Sequence, residues 1–196
     1  LSLTFSQMAI GVTLDSPENY SYTNSERPSF KWKAGTETST LSSYSVEIDN
    51  GDPSASSGQA SGDFSIEDIP VSRTTDYETN KYLAHYQNFS DGDSSNNYIS
   101  VITKSTSTWG STNNDGKLKE GKRTWKVKTR DSTGVEYSEL RTLFVDLTAP
   151  NTEITYINDI KYSSNSFTTT DQTPTIFGQI TDSLTTGDGS TQSQDE

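Results

Sequence analysis

The sequence predicts an all-β fold: an antiparallel sandwich, followed by the start of a second β-module. Three observations predict it. Short apolar runs alternate with a period of two, clusters of turn residues separate them, and no segment carries a long amphipathic helix. Hydrophobic residues make up only 28% of the 196, but ten Tyr, seven Phe and three Trp supply much of that total. Small sheets with aromatic-filled cores fold on so thin a supply, whereas a helical bundle wants more Leu and Ala.

The elements follow in chain order. In "LSLTFSQMAIGVTL", Leu1, Leu3 and Phe5 alternate, the phase shifts near Gln7, and Met8, Ile10, Val12 and Leu14 alternate again. Residues 1–11 read as an N-terminal strand or linker, and "GVTLDSPENYSYT" as a first strand broken by Pro17. "PSFKWKA" turns Phe30 and Trp32 inward and Lys31 and Lys33 outward. "SSYSVEID" turns Tyr44, Val46 and Ile48 inward and Glu47 and Asp49 outward. "DFSIEDIPV" and "NYISVITKS" are further strand candidates. Between them, "DYETNKYLAHYQNF" spaces Tyr82, Leu83 and Tyr86 as one short helix would. Residues 51–115 are set apart as a long insertion, which is expected to pack against the sandwich.

Residues 117–150 are the most regular part of the chain. Gly116 and Gly121 punctuate turns. Trp125, Val127 and Thr129 then share one face, and Thr124, Lys126, Lys128 and Arg130 the other. "DSTG" turns the chain into "ELRTLFVD", where Leu143 and Val145 point inward and Phe144 outward, in want of cover from the insertion or the next module. The sandwich is thus expected over 12–147. Its inward set is Phe30, Trp32, Tyr44, Val46, Ile48, Trp125, Val127, Leu143 and Val145.

"RPSFKW", "YSVEID", "LKEGKRTWKVKTRDSTGVEYSE" and "LFVDLTAP" together resemble the fibronectin type III and immunoglobulin-like modules of bacterial and archaeal surface proteins. The resemblance covers most of residues 12–150 and implies strands B, C, F and G followed by an exit linker. Arg123 departs from the pattern, standing where many members carry an aromatic two residues before the Trp. The 51–115 connection is also longer than usual. A partial repeat extends the reading: "SYTNSERPSFKW" is similar to "SFTTTDQTPTIFG", residues 166–178. Residues 148–196 therefore read as the beginning of a second such module, ending in the flexible tail "TTGDGSTQSQDE". The start at Leu1 reads as a processed or excised product.

Charge excludes some functions. At net -12 the chain lacks the basic face that nucleic acid requires, and anionic membrane surfaces are disfavoured likewise. No run is long and apolar enough for direct membrane insertion. Without cysteine there is no disulfide framework, thiolate metal site or cysteine nucleophile. The chain has no G-x-S-x-G elbow anywhere, and the single histidine, His85, reads as a surface residue. Paired acids are too common in this chain to signal glycosidase chemistry, so no enzymatic activity and no cofactor are expected.

Other residues qualify as binding candidates. "DNGD", "SDGDSSNN" and "TGDGS" cluster oxygen ligands around glycine, making Asp49, Asp52, Asp91 and Asp93 calcium candidates, although ordinary Asx turns use the same residues. Lys126 and Lys128 are expected to face Glu47 and Asp49 in a cross-strand ladder. Asn19 in "NYS" and Asn88 in "NFS" are glycosylation candidates. Tyr77, Tyr82, Tyr86 and Trp109, with Phe89 and Tyr98 nearby, form either a sugar-stacking cluster or a satellite core.

Two functional classes remain. The first is a structural module of an extracellular cell-surface assembly (S-layer, stalk or filament), packing against other copies or neighbouring modules. The second is an adhesin or carbohydrate-binding module that uses the aromatic-rich insertion to hold glycan. Leu1, Leu3, Phe5 and Phe144 are the assembly candidates, the first three through strand addition to a neighbouring copy.

Overall fold

The structure, a computed structural model, describes residues 11–34, 41–49, 63–89, 96–105, 115–132, 134–162, 166–186 and 190–194. Among them are fifteen β-strands and no α-helix. The first sheet runs β1 (Thr13–Ser16), β3 (Phe30–Lys33), β8 (Tyr98–Thr103), β7 (Tyr82–Gln87) and β6 (Tyr77–Glu78). The second runs β2 (Ser21–Thr23), β11 (Arg141–Val145), β9 (Gly121–Asp131), β4 (Leu41–Asp49) and β5 (Phe64–Ile69), with β10 (Val135–Tyr137) also paired to β9. Their strand pairs are antiparallel except β2 with β11, which is parallel. The chain crosses repeatedly between the sheets, which makes a sandwich of Greek-key character.

The core lies between the two sheets, and every residue of the predicted inward set is buried. Phe30 of one sheet meets Trp125 of the other at 5.1 Å, and Trp32 meets Tyr44 edge-on at 5.6 Å. Such tilted aromatic pairs add to the area they bury. Ile66, Ile69, Ala84, Ile99 and Val101 complete the same cluster.

Two arginines fasten the chain where it changes sheet. Arg141 donates from Nη1 to the Asp15 and Pro17 carbonyls at 2.9 and 3.1 Å, and from Nη2 to that of Leu14 at 2.8 Å. It thereby pins the break between β1 and β2, around the cis Ser16–Pro17 bond, onto β11. Arg123, itself buried, donates to the carbonyls of Lys119 and Lys122, both at 2.9 Å, and to that of Glu120. Where the resemblance implies an aromatic, a guanidinium gathers the carbonyls of the turn entering β9. A planar five-donor fork suits that task, which a single phenol hydroxyl cannot match in number.

Three expectations are corrected. The segment expected to be helical holds β6 and β7. Tyr82 and Tyr86 are four apart, a spacing shared by the helical and strand periods. The arbiter is the Tyr82/Ala84 pair, buried while His85 is exposed, with β8 supplying backbone partners along β7. The segment set apart as an insertion contains β5 to β8 and builds most of the first sheet. The tail expected to be flexible returns as a strand, Ser190–Gln194 pairing with Asp182–Thr186.

That strand belongs to a third sheet, ordered β13 (Ile160–Lys161), β12 (Asn151–Ile157), β14 (Ile176–Thr186) and β15 (Ser190–Gln194). Asn158 and Asp159, with φ of 49° and 62°, form the two-residue turn between β12 and β13. Two consecutive positive φ values give the primed turn whose twist suits a hairpin, and Asn and Asp tolerate it best.

Candidate interaction surface

Two strands of the third sheet, β12 and β14, repeat the register of the first ribbon of the sandwich. In the β1–β3 pair, Thr13 lies opposite Lys33, Leu14 opposite Trp32, and after a bulge Ser16 opposite Lys31. In the β12–β14 pair, Glu153 lies opposite Gln179, Ile154 opposite Gly178, and after a bulge Tyr156 opposite Phe177. Asp15 and Thr155 are the residues skipped at the two bulges. Register and bulge coincide, so Phe30, Trp32 and Ala34 map onto Ile176, Gly178 and Ile180. The first three are core residues.

The same register sorts the side chains of the third sheet. Ile154, Ile157, Ile160, Ile176 and Ile180 share one face with Thr152 and Gly178. Glu153, Tyr156, Lys161, Phe177 and Gln179 share the other. Ile157 is buried, but Ile154, Ile160, Ile176 and Ile180 are exposed by 42%, 59%, 58% and 60%. Phe30 and Ala34, buried in the sandwich, thus have exposed counterparts here in Ile176 and Ile180. Gly178 has a local cause as well, since a Cβ there would lie 3.0 Å from the Glu153 carbonyl oxygen.

The remaining sequence candidates are placed as follows. Glu47 lies directly opposite Lys126 and accepts ion pairs from Lys126 at 3.2 Å and Lys128 at 3.3 Å, so the lysine stripe is a ladder. Asp49 lies opposite Thr124 instead. Asp52, Asp91 and Asp93 lie outside the described residues. Among those described, no three acidic or histidine side chains converge as metal ligands. A cleft of about 900 Å³ is lined by Glu47, Asp49, Asp63, Glu67 and Asp68 among others, with Lys81 and Lys126 between them.

The tyrosines extend the core. Tyr82 is buried and donates its hydroxyl to the Asp68 carbonyl at 3.0 Å, and Tyr86 donates to that of Pro70 at 2.8 Å. Burial pushes both phenols well above their ordinary titration range, with a neighbouring tyrosine adding to the effect. Tyr77 packs 6.1 Å from Tyr82 under the Arg73 guanidinium, and Phe89 meets Tyr86 edge-on at 5.3 Å. These rings pin the β5–β6 connection to β7. Trp109 lies outside the described residues.

His85 is exposed and pairs with Asp76 at 2.7 Å. Asn19 accepts a hydrogen bond from the Thr142 amide at 2.8 Å, while Asn88 donates to the Asn96 carbonyl at 3.0 Å; both are exposed. Phe144 finds its cover within the sandwich, where Tyr22 stacks on it at 5.0 Å across the parallel β2–β11 pair. Leu1, Leu3 and Phe5 lie outside the described residues. The isoleucine face was missed as a site: "TEITYI" and "PTIFGQI" hold four of its residues, but the bulge at Thr155 is what brings Ile154 and Ile157 to one side. No protein-family model matches the chain, and no curated protein matches it.

Proposed function

We propose that this chain is a structural module of an extracellular cell-surface assembly, working through protein–protein packing. One observation carries the reading: a finished sandwich is followed by a sheet that repeats its opening ribbon, with the core positions of that ribbon left open as an aliphatic face. A chain built of repeated β-modules, each needing a neighbour to cover it, spaces and tiles. Kinship to immunoglobulin-type modules belongs to the same proposal. The sheet orders β1-β3-β8-β7 and β2-β11-β9-β4-β5 correspond to the A-B-E-D and A′-G-F-C-C′ arrangement of such domains.

The reading assigns the chain no catalysis and no cofactor, and an acidic surface suits an extracellular setting. A glycan-binding module needs exposed ring faces. Burial of Tyr82 and the engaged hydroxyl of Tyr86 weigh against the insertion as that platform. A glycan array tests the choice. The structural reading expects no saturable binding. Binding of a defined sugar that Tyr77→Ala abolishes, with the fold intact, replaces it with the adhesin reading.

A further inference from the structure

On the extracellular placement proposed above, we infer that Asn19 is an N-glycan attachment site and that the free face of the Tyr22 ring carries its first sugar. Asn19, Tyr20 and Ser21 spell the acceptor pattern, and the structure puts them on a surface turn, where such a pattern is usable. The Ser21 amide donates to the Glu18 carbonyl at 3.2 Å, closing a four-residue turn with Asn19 and Tyr20 at its tip. Both are exposed.

The Asn19 carboxamide is held in one orientation. Its Oδ1 accepts from the Thr142 amide at 2.8 Å, and the Tyr20 amide donates to the Thr142 carbonyl at 2.8 Å. A backbone N–H donates to the oxygen of a carboxamide and not to its nitrogen, so Nδ2 is the end left outside this contact. Asn88, the other acceptor candidate, already gives a hydrogen of its Nδ2 to the Asn96 carbonyl at 3.0 Å.

The strand register brings a ring to the same place. Thr142 and Phe144 are two residues apart on β11 and share its outward face, about 7 Å from each other. Asn19 is bonded beside the first, and Tyr22 lies opposite the second. Tyr22 covers Phe144 with one face of its ring at 5.0 Å, yet is itself 63% exposed. A sugar linked to Nδ2 lies within reach of the other face, an apolar plane on which its C–H side packs. Attachment is a group transfer without redox change. Nδ2 bonds to C1 of a sugar carried on a lipid diphosphate, the C1–O bond to the diphosphate breaks, the diphosphate keeps the electron pair, and one amide proton passes to a base of the transferase.

The full chain secreted from an N-glycosylating eukaryotic host tests this, with the same chain made unglycosylated in bacteria as reference. Peptide mass spectrometry should find a glycan on Asn19 that Asn19→Gln removes. For thermal melting, both chains carry Asn88→Gln, and an endoglycosidase trims the glycan to its first N-acetylglucosamine. The modified chain should melt about 2–4 °C above its reference, the shift that one modest contact gives a chain of this length. Tyr22→Ser should keep the attachment and abolish that difference, while Tyr20→Asn, which preserves the acceptor pattern and tolerates the 62° φ, should keep both. An unmodified Asn19 in the secreted, folded chain overturns the site. No gain on attachment, a gain that survives Tyr22→Ser, or one lost in Tyr20→Asn overturns the role of Tyr22. Each of these leaves the structural reading standing, whereas specific sugar binding on the array removes that reading whatever the mass spectrum shows.

Discussion

β3 and β14 carry the same ribbon in the same register, one inside a finished sandwich and one outside. Phe30, Trp32 and Ala34 are nearly inaccessible, while Ile176 and Ile180 are more than half exposed. Both strands follow a Ser/Thr-rich turn and a proline, and both pair with a bulged partner. The difference is the opposing sheet. Strand sequence prepares a face, and burial is then conferred by what packs on it.

Paired truncations break or sharpen that comparison most strongly. Trp125→Ala removes a buried ring against Phe30 and should cost about 3–5 kcal/mol. Ile176→Ala, at the position equivalent to Phe30 but exposed, should change monomer stability by less than about 0.5 kcal/mol. Chemical denaturation of dilute protein compares the two. Equal losses would mean that the third sheet is as well covered as the sandwich.

The corner before β9 comes next. Arg123→Ala strands carbonyls of Lys119, Glu120 and Lys122 and should cost about 2–4 kcal/mol. Arg123→Lys should not restore it, because an ammonium lacks the planar fork. Full recovery by lysine would make charge, rather than geometry, the function of this residue.

Alkaline pH gives a smaller, signed effect. Tyr82 and Tyr86 titrate above their ordinary value in the folded chain, chiefly because burial disfavours the phenolate. The folded state therefore holds protons that the unfolded chain releases near pH 10. Stability is complete below about pH 10 and falls as pH rises beyond it. A melting series across that range should show a decline that the double variant Tyr82→Phe, Tyr86→Phe reduces. The smallest effect belongs to the surface ladder. Glu47→Ala should cost under about 1 kcal/mol, and less at high salt.

The sandwich was legible where the alternation was long. Trp125, Val127 and Thr129 against Lys126 and Lys128 admit no other period, and all three are buried. It was illegible where two periods agree, as at Tyr82 and Tyr86, or where turns are so long that strands between them look like an insertion. The tyrosine cluster read equally well as sugar platform or satellite core, because sequence does not say where a hydroxyl goes; the carbonyls of Asp68 and Pro70 answer that. Phe144 was read correctly as outward, but its cover came from Tyr22, which only the parallel β2–β11 pairing brings near. Four of the isoleucines of the third sheet, Ile154, Ile157, Ile176 and Ile180, were visible in the strand candidates "TEITYI" and "PTIFGQI", and Ile160 was not. Their convergence on one face required the bulge at Thr155, which resets the phase and which no alternation count reveals.

Amide hydrogen exchange on dilute, monomeric protein tests the central contrast most directly. Backbone amides of β4 and β9 should exchange only through global unfolding, while those of β12 and β14 should exchange orders of magnitude faster through local opening of an uncovered sheet. Equal protection of β9 and β14 in the monomer would contradict the account, since it would mean that the isoleucine face is already covered.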